Sequence, residues 1–73
     1  MEIQIRDEFI KLGQALKLAG VVEDGVEAKY VITEGLVKVN GETDLRRGRK
    51  VYDSDIISYK GQEIKIIGGG NVY

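Results

Sequence analysis

Arg46-Arg47-Gly48-Arg49-Lys50 places four cations within five positions of a 73-residue chain whose formal net charge is −1. Positive charge packed this closely, in a chain with no excess of it, is positioned rather than spread. The chemistry it offers is the capture of anionic oxygens. Arginine outnumbers lysine three to one in the run, and its planar fork matches phosphate geometry. Gly48 permits a close backbone approach or a positive φ. Four carboxylates stand nearby in sequence: Glu42, Asp44, Asp53 and Asp55. A loop that neutralises itself is therefore the competing reading, and exposed pairs of that kind contribute little energy.

Catalysis is poorly supplied. The chain has no histidine and no cysteine. Ser54, Ser58, Thr33 and Thr43 offer hydroxyls, but none has a base at a recognisable spacing. Glu23, Asp24 and Glu27 read as the charged start of a helix rather than a cation site. Asp53 and Asp55 read as turn residues. Gly68-Gly69-Gly70 lacks the following helix that a phosphate loop requires. No enzyme activity, cofactor, metal or small-molecule substrate is expected. Tyr30, Tyr52 and Tyr59 are candidates to stack on unpaired bases, against core packing with a wet hydroxyl. Tyr52, two residues past Lys50, is the one that merits a test.

Size and composition narrow the class. Seventy-three residues predict one domain over 1–73. A chain this short hides only about 60% of its unfolded surface, so its core is small. The lack of cysteine fits a reducing compartment. No run of about 18 apolar residues predicts a membrane span, and the first six residues do not resemble a signal peptide. The expected location is cytoplasmic. Charge is uneven: residues 1–37 hold four cations against seven anions, −3, and residues 38–73 hold seven against five, +2. A general polyanion binder would be basic throughout, so one patch must carry any such contact.

The elements that would position these groups follow from periodicity. Residues 2–5 alternate as a short strand. Leu12, Ala15, Leu16 and Ala19 make one apolar helix face, which Gly20 ends. Lys11, Gln14 and Lys17 lie on the opposite face. Leu18 also falls there, and only contact with a neighbouring element accounts for it. Asp24 and Glu27 have capping-box spacing and open a second helix. Ala28, Val31, Ile32 and Gly35 line its inner side, with Lys29 and Thr33 on its flank. Val37-Lys38-Val39 is a strand, and Asn40-Gly41 is a strong hairpin turn. Val51 begins a return to the sheet. Residues 56–59 and 63–67 are strands joined across Lys60-Gly61-Gln62. Gly68 to Asn71 reads as a mobile tail.

Three segments carry a resemblance to a known family. They are Lys11-Leu12-Gly13-Gln14-Ala15-Leu16-Lys17-Leu18-Ala19-Gly20, the run from Glu27-Ala28-Lys29-Tyr30 to Val39-Asn40-Gly41, and Arg46-Arg47-Gly48-Arg49-Lys50-Val51. In this order they resemble the S-four RNA-binding domain, the alpha-L motif, in its short stand-alone bacterial YaaA/YbcJ-like branch. The resemblance covers about residues 9–67. It implies an α+β fold, two packed helices beside a small, mostly antiparallel sheet, with residues 2–5 an added edge strand. It implies non-catalytic binding of structured RNA, of the ribosomal RNA or tRNA class, in ribosome assembly or translation. By position, Lys11, Lys29, Lys38, Asn40, Arg46, Arg47, Arg49 and Lys50 would form the RNA surface. Gln14 and Lys17 join them from the helix face. Gly13 stands where the larger family often has an acid, and Asp24-Gly25 where it often has Ser-Arg. The alternative is a protein-interaction module whose basic loop docks on an acidic partner surface, such as one on the ribosome or its proteins.

Overall fold

A computed structural model describes residues 1–68. Two short helices form where the apolar period is helical: α1 (Leu12–Leu18) and α2 (Gly25–Thr33). Both stop the same way. Gly20 adopts φ +77 and Gly35 φ +79, a conformation that a side chain disfavours. Gly20 N–H donates to the Lys17 carbonyl and Val21 N–H to that of Leu16; Gly35 and Leu36 repeat the pattern on Ile32 and Val31. Each is a complete Schellman motif, which satisfies carbonyls left open at a helix end. At the start of α2, Asp24 Oδ1 accepts the Glu27 N–H at 2.8 Å. Glu27 Oε1 reaches back to the N–H of Glu23 at 2.7 Å, one residue earlier than a standard capping box.

The strands are β1 (Glu2–Gln4), β2 (Phe9–Lys11), β3 (Val37–Val39), β4 (Glu42–Thr43), β5 (Lys50–Tyr52), β6 (Ile56–Tyr59) and β7 (Gln62–Ile67). Five form one sheet in the order β1-β7-β6-β3-β4. Residues 2–4 are indeed an edge strand, parallel to β7, while the other pairings are antiparallel. Two tight turns set the register. Asn40-Gly41 has φ 52 and 85, and Lys60-Gly61 has φ 53 and 76, as the two-residue hairpin turns that match strand twist require. Gln62 therefore belongs to β7, not to the turn.

Alternation along the strands turns Ile3, Val37, Val39, Ile57, Tyr59, Ile64 and Ile66 to one face of the sheet, where they meet Leu12, Ala15, Leu16, Ala28, Val31 and Ile32 of the helices in one apolar cluster. No polar or charged residue among the described ones is buried. No described helix is long and apolar enough to cross a membrane.

One pairing departs from the sequence expectation. Val51 does not rejoin the main sheet. Instead β5 pairs antiparallel with β2 in a separate two-stranded ribbon. Phe9-Ile10-Lys11 is too short to show a period, so its strand character comes only from its partner, about forty residues away in sequence. The ribbon lets Val51 reach the core, where it is fully buried. The anticipated mobile tail lies outside the described residues except for Gly68, whose N–H donates to Asp53 Oδ1 at 2.8 Å.

Asn40 ties the hairpin to this ribbon. Its Oδ1 accepts the Ile56 N–H and its Nδ2 donates to Asp55 Oδ1, both at 2.9 Å. Asp55 Oδ2 in turn accepts the Tyr52 N–H at 2.8 Å. Replacing Asn40 by alanine removes two such bonds at about 1 kcal/mol each. In a domain of this size the melting temperature should then fall by on the order of 10 °C, read by circular dichroism.

Candidate nucleic-acid interface

The start of α1 explains where the cationic loop sits. The first N–H groups of a helix have no acceptor within it, and Lys11, at the cap position, has only a donor to offer. The Gln14 carboxamide helps little, since its Oε1 lies 3.4 Å from the Lys11 nitrogen. The loop supplies what is missing. Leu12 N–H donates to the Arg49 carbonyl at 2.8 Å, and Gly13 N–H to the Arg47 carbonyl at 3.0 Å. A Cβ on Gly13 would lie 3.5 Å from that Arg47 oxygen, so helix and loop are in van der Waals contact. These bonds fix the loop through its backbone, and the Arg47 side chain stays exposed.

Asp44 then sorts the side chains. Its Oδ2 lies 2.8 Å from Arg46 Nη2 and 3.1 Å from Arg49 Nε. Its Oδ1 accepts from Arg46 Nε and from the Arg46 N–H. The Arg46 guanidinium holds the Asp44 carboxyl below its ordinary value, against the opposing effect of burial. The same hydrogen bond raises Arg46. Arg49 Nη1 is enclosed and finds no acceptor among the described residues, so this guanidinium is turned into the fold.

The other nearby carboxylates do not neutralise the loop. Asp53 accepts from Gly68 N–H and the Ser54 hydroxyl, and Asp55 from Tyr52 N–H and Asn40. The two ion pairs at Asp44 are the only ones among the described residues. Arg47, Lys50, Lys11 and Lys17 are exposed and carry uncompensated charge.

Three of these four meet at one groove. It is lined by Lys11, Gly13, Gln14 and Lys17 of β2 and α1, by Gly25 and Ala28 of α2, and by Arg47 and Gly48 of the loop. Asp24 and Glu27, next to Gly25 and Ala28 in the chain, each turn one carboxylate oxygen to a backbone N–H. A second depression, on the loop itself, is lined by Arg46, Gly48, Arg49 and Lys50. Lys50 faces Lys11 directly across the ribbon.

Three expected residues stand apart. Lys29 is exposed on α2, one turn beyond Gly25, and does not line the groove. Lys38 lies between Thr43 and Ser58 on the face of the sheet opposite the core. The Asn40 carboxamide is engaged at both ends within the fold. Phe9, absent from the sequence reading, lies opposite Tyr52 with ring centroids 5.9 Å apart. No local pattern marks it, because the contact depends on the β2–β5 register. Tyr59 is a core residue, 3% exposed.

A solid apolar core, two helices and a clamped cationic loop make this a surface-binding module of α+β architecture. The chain belongs to the S4 domain family, whose model matches residues 3–67. It is similar to the probable ribosome maturation protein RlbA of Bacillus subtilis, 49% identical over 59 residues, which are 81% of this chain and 83% of that protein. It is also similar to the putative RNA-binding protein YbcJ of Escherichia coli, 34% identical over 58 residues, or 80% and 83% of the two chains. The solution structure of E. coli YbcJ, described as revealing an alpha-L motif involved in RNA binding, matches with a TM-score of 0.70 at 30% identity. That match covers 90% of this chain and 85% of that one. The 30S ribosomal protein S4e from Thermoplasma acidophilum matches with a TM-score of 0.62 at 30% identity, over 78% of this chain and 30% of its own. The S-four resemblance and the α+β alpha-L fold are both borne out.

The Asp44 clamp has a pH signature. Its folded carboxyl lies below the unfolded value of about 3.9. Its contribution is therefore complete above that value and lost as pH falls through the folded one. In urea titrations, the stability gap between the natural chain and Asp44→Asn should stay constant from about pH 8 to about pH 5 and close below about pH 4.

Proposed function

We propose that this chain binds structured RNA and catalyses no reaction on it. The observation that carries the reading is the meeting of Lys11, Lys17 and Arg47, all without carboxylate partners among the described residues, along one groove with Gln14. Such a groove suits phosphate oxygens on a folded backbone, which RNA-binding domains recognise by shape more than by base edges. Lys50 extends the positive surface along the loop, beside Arg46 and Arg49, which Asp44 already holds. Lys29, Lys38 and Asn40 contribute at most from its margins. The names of similar proteins, a probable ribosome maturation protein and a putative RNA-binding protein, support an RNA of the ribosomal class and a role in ribosome assembly. Transfer RNA is the other candidate class. A net charge of −1 limits non-specific attraction, so affinity has to come from fit to this one face.

The test is a binding titration at several salt concentrations. If about four phosphates are neutralised, log K should fall with log salt at a slope of roughly −3. Arg47→Ala should weaken binding roughly tenfold and reduce the slope by about 0.7 to 0.9. Arg46→Ala should do less, because Asp44 already neutralises that guanidinium. A flat salt response, or RNA affinity untouched by Arg47→Ala while a ribosomal protein pull-down weakens, would favour a protein partner instead.

A further inference from the structure

A second surface adjoins the groove, and phosphate capture alone does not account for it. The β2–β5 ribbon turns Ile10 and Val51 toward the core, so alternation puts Phe9, Lys11, Lys50 and Tyr52 on its outer face. Leu12 N–H donates to the Arg49 carbonyl, and Tyr52 N–H donates to Asp55 rather than to β2. Both facts put the Phe9/Tyr52 and Lys11/Lys50 pairs at non-hydrogen-bonded positions, where facing side chains come closest. The aromatic pair is attractive, with rings 5.9 Å apart and tilted by 51°. The lysine pair is repulsive, and neither ammonium has a carboxylate partner among the described residues. Lys50 Nζ lies 4.8 Å from the Phe9 ring centre, which holds that charge against the aromatic pair.

Folding does not call for this arrangement. Like charges face to face cost stability, and Tyr52 remains 42% exposed. An open ring with two free cations beside it has the makeup of a stacking platform for single-stranded nucleic acid. The platform is also continuous with the groove. Phe9 lines a shallow depression with Arg6, Asp7, Gln14, Lys17 and Leu18, and Gln14 and Lys17 line both that depression and the groove. Leu18, 58% exposed on the polar side of α1, finds its place here as an apolar wall.

We propose that the outer face of the ribbon receives one unpaired RNA base, stacked on Tyr52, with Lys11 and Lys50 on the flanking phosphates. This rests on the RNA-binding reading above and narrows it. The ligand is a helix or junction with an unpaired nucleotide beside it. A continuous duplex does not suffice, because its bases stack on one another and offer no free face to a protein ring.

The test compares two RNA hairpins, one with a single unpaired 2-aminopurine and one fully paired, each titrated with the full chain at low salt. The natural chain should prefer the first by roughly five- to a hundredfold, and 2-aminopurine fluorescence should change on binding. Tyr52→Ala should abolish both the preference and the fluorescence change, while Tyr52→Phe keeps them. Tyr52→Leu preserves apolar packing on Phe9 and serves if the alanine variant is unstable; it should behave as the alanine variant does. The salt slope should be unaffected by any of the three, since none removes a charge. Equal binding of both hairpins by the natural chain, or a preference that survives Tyr52→Ala and Tyr52→Leu, overturns the platform and leaves groove binding standing if Arg47→Ala still weakens both. No binding of either hairpin at low salt overturns both readings.

Discussion

The two backbone bonds that carry loop carbonyls onto the start of α1 are the constraint on which the surface depends. A helix that opens with Lys11-Leu12-Gly13 has no side chain to accept its own first N–H groups. Arg49 and Arg47 accept them through their carbonyl oxygens. The polypeptide therefore uses the main chain of its cationic loop as a helix cap. Had the arginine side chains been the groups that fixed the loop, they would be unavailable to a ligand. Because the main chain fixes it, Arg47 faces the groove beside Lys11 and Lys17.

The same division of labour explains how a chain of net charge −1 presents a positive face. Four of its carboxylates are turned to backbone N–H groups. Asp24 and Glu27 serve the start of α2, and Asp53 and Asp55 serve the turns around β5. Among the described residues Asp44 alone meets arginines, and it takes two of them. Other cations close by in sequence are left open, which is what a polyanionic ligand requires.

Much of the fold was legible because its signals are local. Gly20, Gly35 and Asp24 each act within one turn of helix, and Asn40-Gly41 acts within its own hairpin. The inner faces of both helices and of β3, β6 and β7 follow from their periods. The family resemblance rested on these same segments, and membership holds. The β2–β5 ribbon was not legible. Three residues show no period, and Phe9 becomes aromatic neighbour to Tyr52 only through a pairing set by the whole fold. The candidate site was legible in its composition but not in its layout: Lys38 and Lys11 look alike in the chain and stand on different faces.

The amino-acid sequence by itself determined where helices and hairpins begin and end, and that four cations lie in one loop, because caps, two-residue turns and charge runs are properties of neighbouring residues. Only the tertiary structure decided which cations stay open. That outcome depends on which carboxylate comes to rest beside each guanidinium and which is held by a backbone N–H instead, and such contacts join residues as far apart as Asp53 and Gly68. Neutralisation is a matter of a few ångströms, and distance along the chain does not measure it.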